Sequence, residues 1–245
     1  YFIESDREDR KNVTAFLQAL SGNSRLFIFG GMIRDIGLFG ARGFNSDIDL
    51  VYDGSRTDLL KALHQQGIAN ISENKFGGFC LQEFEVDIDI WSIEETWAFK
   101  RNHIARNSVE SLLSTTLMTW DAVLYDVNRH QIIAADGYLN DLNLGRLDLV
   151  LDKTPNEQSA LIRILRTIYT KQVLWLGSQM NTFLLHALRK HTYETLIRYE
   201  LEHYKTNYIN GLKLARLYSD LQKWDGKTNL EVNAHLHQKQ LDFKL

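Results

Sequence analysis

Cysteine and proline are nearly missing from this sequence. The single cysteine, Cys80, leaves no internal disulfide available among 245 residues, and the expected setting is a reducing cytoplasm. One proline and no Ser/Gly/Pro-rich tract argue against a long disordered linker. No apolar run approaches the roughly 18 residues that a bilayer-spanning helix needs. Nor does the chain open on a basic-then-apolar secretory pattern. No membrane partner is expected.

Charge of one sign is also scarce overall, the net being only −3, but it is unevenly placed. Residues 1–150 hold 14 Lys/Arg against 22 Asp/Glu, and residues 151–245 hold 14 against 9. The first part is therefore acidic enough to hold metal ions, and the second basic enough to face phosphates. Hydrophobic residues at 44% and charged residues at 24% are ordinary for a globular chain with a sizeable core.

The order of patterns points to an α+β head over 1–150 and an all-helical region over 151–245. Val13, Phe16, Leu17 and Leu20 lie at helical spacing within 8–20. Arg25 to Phe29 reads as a buried strand broken by Gly30-Gly31, and Met32 to Phe39 as a helix closed by Gly40. Asp47 to Tyr52 alternates acid and apolar, the period-2 pattern of a strand with one wet face. A helix is predicted over Thr57 to Gln66, and a strand pair or one long strand over Phe79 to Trp91. Around Val109 to Tyr125 the pattern returns to helix, with a short strand at Gln131 to Ala135. From about Asn156 onward nearly everything reads helical, with a stripe at Leu161, Ile164, Leu165 and Ile168.

Chemistry concentrates between Phe29 and Leu50. Adjacent glycines at a strand-to-helix junction let a ligand approach the backbone, and the helix start offers N–H groups to phosphates. Asp47 and Asp49, two apart on a strand, share a face and come within reach of one cation. Such neighbouring carboxylates repel unless a metal or a base neutralises them. A second acidic strand, Asp87-Ile88-Asp89, is able to complete the cluster. Three carboxylates around Mg²⁺ or Mn²⁺ suit in-line attack on an α-phosphate.

Gly30-Gly31-Met32-Ile33-Arg34-Asp35, then Ser46-Asp47-Ile48-Asp49-Leu50, resembles the signature of class II tRNA nucleotidyltransferases and bacterial poly(A) polymerases, within the polymerase β-like superfamily. The resemblance implies a mixed-sheet nucleotidyltransferase head with metal at Asp47 and Asp49. It implies nucleotide binding at Gly30, Gly31, Arg34 and Asp35. The superfamily's third carboxylate precedes an apolar residue on a later strand, which Asp89 fits best and Asp87 second. Arg163 and Arg166, within Leu161 to Arg166, resemble the junction into the family's helical neck and become candidates for meeting phosphate or base.

Departures accompany the match. Ser159 and Ala160 stand where the neck carries Glu-Asp, which removes the acceptor that would select adenine and cytosine edges. Asp121 stands where the family's Thr-Ile-Asn-Ala segment has Asn, and Thr115, Thr116 and Leu117 replace its Arg-Arg-Asp. CCA addition is therefore not implied.

The expected function is transfer of an NMP from an NTP, ATP among them, to an acceptor hydroxyl with release of pyrophosphate. An RNA 3′ end is the favoured acceptor, as in tRNA processing; a protein or small-molecule hydroxyl is the other. The alternative is a catalytically silent nucleotide- or RNA-binding module, or a partner of a toxin or effector, with the same fold. Trp91 and Trp97 read as core aromatics before base-stacking ones. His235 and His237 lack partners at zinc spacing, and Cys80 reads as a small buried hydrophobe.

Overall fold

Apolar spacing, more than local propensity, explains where the elements form. In the computed structural model, residues 8–40, 44 and 47–234 are described; Ser46, His235 and His237 lie outside them. Helix α1 (Glu8–Ser21) buries Val13, Phe16, Leu17 and Leu20, one stripe of its surface. Strand β1 (Leu26–Phe29) follows, then α2 (Gly31–Phe39), β2 (Ile48–Tyr52) and α3 (Arg56–Gln65). The hydroxyl of Ser55 caps α3 by accepting from the Asp58 N–H. Strands β3 (Ile71–Glu73), β4 (Phe79–Leu81) and β5 (Ile88–Ser92) come next, then the short helix α4 (Trp97–Lys100), β6 (Val123–Asp126) and β7 (Gln131–Ala134).

These strands form a seven-stranded mixed sheet in the order β3-β4-β5-β2-β1-β6-β7. The β2–β5 pair is parallel and every other neighbouring pair is antiparallel. Alternation divides the sheet into two unlike faces. One carries Leu26, Ile28, Ile48, Leu50, Ile88 and Ile90, which join residues of α1 and α3 in a single core. Each of these side chains is buried, and burial of that kind contributes about 1.5–3 kcal/mol apiece. The other face carries the carboxylates described below.

One sequence expectation is amended here and another is resolved between its two alternatives. The stretch Val109 to Tyr125 is not a helix: it holds 3-10 turns at Val109–Thr115 and Thr119–Asp121, and Val123–Asp126 is a strand. Leu124, Tyr125 and Asp126 pair with β1 on one side and β7 on the other. A run of apolar residues is ambiguous in isolation, and strand partners distant in sequence decide it. The Phe79 to Trp91 stretch resolves as an antiparallel pair, β4 and β5, with residues 82–87 between them.

The chain divides into two compact units. One runs to Thr115 and takes in Asp121–Asp136; the other is Thr116–Trp120 together with the chain from Gly137 on. The second holds α5 (Tyr138–Asn143), β8 (Arg146–Leu147), α6 (Glu157–Thr170), β9 (Trp175–Leu176), α7 (Ser178–Lys190), α8 (Tyr193–Tyr204), α9 (Gly211–Lys223) and β10 (Leu230–Glu231). Three two-residue strands in the order β10-β9-β8 are added to the expected helices. Asn156, Thr192 and Asn210 cap α6, α8 and α9 through their side-chain oxygens. Among the described residues, no helix is long and apolar enough to cross a membrane.

Candidate active site

Register brings the acidic residues together. On the parallel β2–β5 ladder Asp49 is the partner of Asp89, as Val51 is of Trp91. Partners in adjacent strands send their side chains to the same face. At the entrance to the ladder the Ile48 N–H donates to the Asp87 carbonyl at 2.9 Å, just beyond Asp47. Asp47, Asp49, Asp87 and Asp89 thus occupy neighbouring positions on one face, opposite the apolar core.

Electrostatics reports the crowding. Asp47 is exposed as a residue, yet its carboxyl is held above the usual carboxylate range. Partial withdrawal from water is the first cause, and the charges of Asp87 and Asp89 add to it. Farther along the row, Cys80 on β4 is the register partner of Asp89, and Ser72 on β3 of Cys80. Burial, and then hydrogen bonding to the Asp89 carboxylate, push the Cys80 thiol up to about 11. Cys80 is therefore a protonated neighbour of an acid, only half-buried where the sequence predicted a buried hydrophobe.

This donor set fits a divalent cation. Carboxylate oxygens are the hard ligands that Mg²⁺ and Mn²⁺ prefer, and a cation relieves the repulsion felt at Asp47. Among the described residues, no three His, Cys, Asp or Glu side chains form a ready cage for an ion. Mg²⁺ characteristically takes one or two carboxylates and completes its shell with water and substrate phosphates.

Beside the carboxylates stands the glycine junction, and its two glycines have different reasons. Gly30 has φ +35°, and a Cβ there would lie 2.6 Å from the backbone oxygen of Asp121. The fold itself therefore demands glycine at 30. A Cβ on Gly31 would meet nothing nearer than Arg34 Nη2 at 3.7 Å and Asp49 Oδ2 at 4.0 Å. Gly31 opens the first turn of α2, which no side chain caps, toward Arg34 and Asp49.

Arg34 is 8% exposed and lies between two acids. Its Nε donates to Asp35 Oδ1 at 2.8 Å, and its Nη1 donates to Asp121 Oδ1. Asp35 is thus a buried partner of Arg34, 5% exposed. The sequence marked Asp121 only as a departure from a motif and assigned it no role. A polar residue just before an apolar strand was its one available signal.

Arg163 and Arg166 belong to the other compact unit. Arg163 is exposed on α6. Arg166 Nη1 donates to Glu200 Oε1 at 2.9 Å and to the Thr206 hydroxyl. Its guanidinium also lies over the Tyr204 and Tyr208 rings, 4.2 and 5.2 Å from their centroids. Glu200 is fully buried and accepts in addition from the N–H groups of Tyr208 and Ile209. These contacts make Arg166 part of the framework of the helical unit. Trp91 packs edge-on against Phe29 at 5.8 Å and donates from Nε1 to the Thr96 hydroxyl, while Trp97 lies 4.9 Å from the His103 ring. Both tryptophans are half-buried.

No protein-family model matches the chain, and no curated protein does either. Solved structures do. The chain is similar to a Thermotoga maritima CCA-adding enzyme complexed with tRNA, at 20% identity and a TM-score of 0.65 over 90% of this chain and 53% of that one. It is similar to a CCA-adding enzyme in complex with CTP, at 18% identity and a TM-score of 0.64 over 91% and 54%. A tRNA nucleotidyltransferase complexed with a primer tRNA and an incoming ATP analogue gives 20% identity and 0.58 over 85% and 60%. The chain spans between about half and three-fifths of the length of these proteins. At such identities the likeness is one of fold, and the expected fold resemblance to tRNA nucleotidyltransferases is borne out.

Proposed function

We propose that this chain, on the fold of the polymerase β-like nucleotidyltransferases, transfers a nucleoside monophosphate from an NTP to an acceptor hydroxyl and releases pyrophosphate. The observation that carries the proposal is the pairing of Asp49 with Asp89 across β2 and β5, beside the first turn of α2. Asp47, Asp49 and Asp89 are the proposed metal ligands, with Asp87 the alternative third. Mg²⁺ or Mn²⁺ bound there supplies charge neutralisation at the phosphates and lowers the pKa of the attacking hydroxyl. The chain's own residues bind and orient. Gly31 leaves room for phosphate against the start of α2, whose N–H groups favour an anion. Arg34 adds a cation on the same side.

An RNA 3′ end is the proposed acceptor, supported by the basic balance of residues 151–245 and by the tRNA-bound relatives of the fold. A cytoplasmic setting fits the single cysteine. The test is pyrophosphate release from each NTP with Mg²⁺ or Mn²⁺, with total RNA or total protein as acceptor. Metal-dependent release with RNA is expected, and label on protein would redirect the acceptor. Asp47→Asn should abolish turnover while the protein still folds; activity at the wild-type level in that variant would refute the assignment. Silence of the wild type with every NTP would leave the chain a non-catalytic binding module.

A further inference from the structure

The seven-stranded sheet has two edges, and they are built differently. At one, β3 carries Glu73, which is paired with Arg56 at 2.6 Å. Charge on an edge strand discourages a second strand from joining it. At the other, β7 reads Gln131-Ile132-Ile133-Ala134, with neither a charge nor a proline. Ile132 is 64% exposed.

Hydrogen-bond parity shows which groups β7 turns outward. The Gly30 N–H donates to the Val123 carbonyl and the Val127 N–H to the Leu26 carbonyl, both at 2.9 Å. Odd-numbered positions along β6 therefore bond to β1. The Ala135 N–H donates to the Ala122 carbonyl at 3.1 Å, so even-numbered positions bond toward β7. In register, Leu124 and Asp126 face Ile133 and Gln131. The N–H and C=O groups of Ile132 and Ala134 thus point away from the sheet. Among the described residues they have no hydrogen-bond partner.

A second copy of the same strand fits this edge. With a two-fold axis at Ile133, Ile132 of each copy stands opposite Ala134 of the other. Every outward N–H then finds an outward carbonyl in the antiparallel pattern. Just beyond the ladder, the same register brings the Arg129–His130 end of one copy beside Asp136 of the other, all three residues being exposed. The two-fold therefore sets a basic end against an acidic end twice, where a parallel alignment would set like against like. Ile132 shares its face with Tyr125 and Ile28 and helps to line a cavity of about 570 Å³ with Leu17, Met32 and Ile36. The small Ala134 opposite leaves room for Ile132, so joining withdraws an exposed isoleucine of each copy from water.

We propose that β7 is the interface of a homodimer, two copies pairing antiparallel through Ile132 and Ala134 about a two-fold axis at Ile133. The pairing makes one continuous sheet from two chains and stands independently of the nucleotidyltransferase reading.

The test is sedimentation velocity of the full chain over a concentration series, with Tm as the control for folding. The wild type should show a dimer whose fraction rises with concentration. Ile132→Lys should weaken dimerisation at least tenfold and leave Tm unchanged, because the side chain is mostly exposed. Ala134→Pro removes only an outward N–H and should also give monomers. Should either substitution lower Tm, the exposed charges carry the test. Arg129→Asp and Asp136→Arg should each weaken the dimer about fivefold, and the two together should restore it to within about twofold of wild type. Ile133→Cys places a thiol of each copy at the axis, where facing side chains come closest, and mild oxidation should join the two chains.

A wild type that stays monomeric at every concentration would overturn the proposal. So would a dimer that Ile132→Lys and both single charge variants leave intact. A combined charge variant that dimerises no better than the single ones, or a dimeric Ile133→Cys that forms no disulfide, overturns the pairing about Ile133.

Discussion

Arg34 and Arg166 look alike in the sequence, each on a helix within a stretch that resembles nucleotide-binding machinery, and the structure gives them different surroundings. Arg166 is enclosed by Glu200, Thr206 and two tyrosine rings of its own helical unit. Arg34 is gripped by Asp35 and Asp121, and its Nη2 lies 3.7 Å from the place of a Gly31 Cβ. Partner count alone does not separate the roles, since both have a buried carboxylate. Location separates them: Arg34 lies at the glycine junction, Arg166 among the helices of the second unit.

The largest effect expected lies among the carboxylates at the β2–β5 ladder. Asp89→Asn should lower metal-dependent turnover about a thousandfold, or roughly 4 kcal/mol of barrier, because it removes a ligand charge next to Asp49. Asp87→Asn, one step outside the ladder, should retain measurable turnover. The reverse ranking in the same assay moves the third ligand to Asp87.

Next comes the comparison itself. Arg166→Ala leaves the Glu200 carboxylate buried without its cation, at a cost of about 3 kcal/mol, seen as a Tm lower by several degrees. Arg34→Ala should instead weaken NTP affinity at least tenfold. Equal losses of affinity in the two variants, measured on folded protein, would erase the distinction drawn between them.

The two glycines sharpen it on a smaller scale. Gly30→Ala drives a methyl into the Asp121 backbone at a φ that L-residues rarely adopt, so thermal denaturation should show a loss of about 1–3 kcal/mol. Gly31→Val meets no backbone atom within 4 Å outside its own helix and its chain neighbours, so it should weaken NTP binding far more than folding. If Tm collapses in Gly31→Val while affinity of the folded fraction holds, that glycine serves the turn only.

The smallest effect is at a third arginine–carboxylate pair, Arg25 with Asp126, 2.8 Å apart. Burial works to raise the Asp126 pKa, but hydrogen bonds from Arg25 and from the Arg129 and Asn128 N–H groups outweigh it, and the group stays below the usual range. A lowered folded-state pKa means stability present above the unfolded value, about 3.9, and lost as pH falls through the folded one. Asp126→Asn should therefore reduce Tm at pH 7 by a few degrees, and the gap from wild type should narrow toward pH 3. A gap independent of pH would assign the effect to packing rather than charge.

What the residues alone determined was local and periodic. Leu20, Ile28, Leu50 and Leu161 declared their burial through spacing, because burying a stripe or an alternate face is the one way such patterns leave water. Gly30-Gly31 and the two Asp-Ile-Asp strands were equally legible, since their chemistry is short-range and their face follows from parity. What the tertiary structure alone decided was partnership across sequence distance: that Asp49 stands beside Asp89, that Val123–Asp126 is a strand in mid-sheet rather than the end of a helix, and that Arg166 belongs to Glu200 while Arg34 is shared with Asp121. The two ion pairs join residues 34 and 87 positions apart in the chain, and the β1–β6 register joins Phe27 to Asp126, farther apart still. Their energy depends on which side chain arrives opposite, and no property of either residue in isolation contains that.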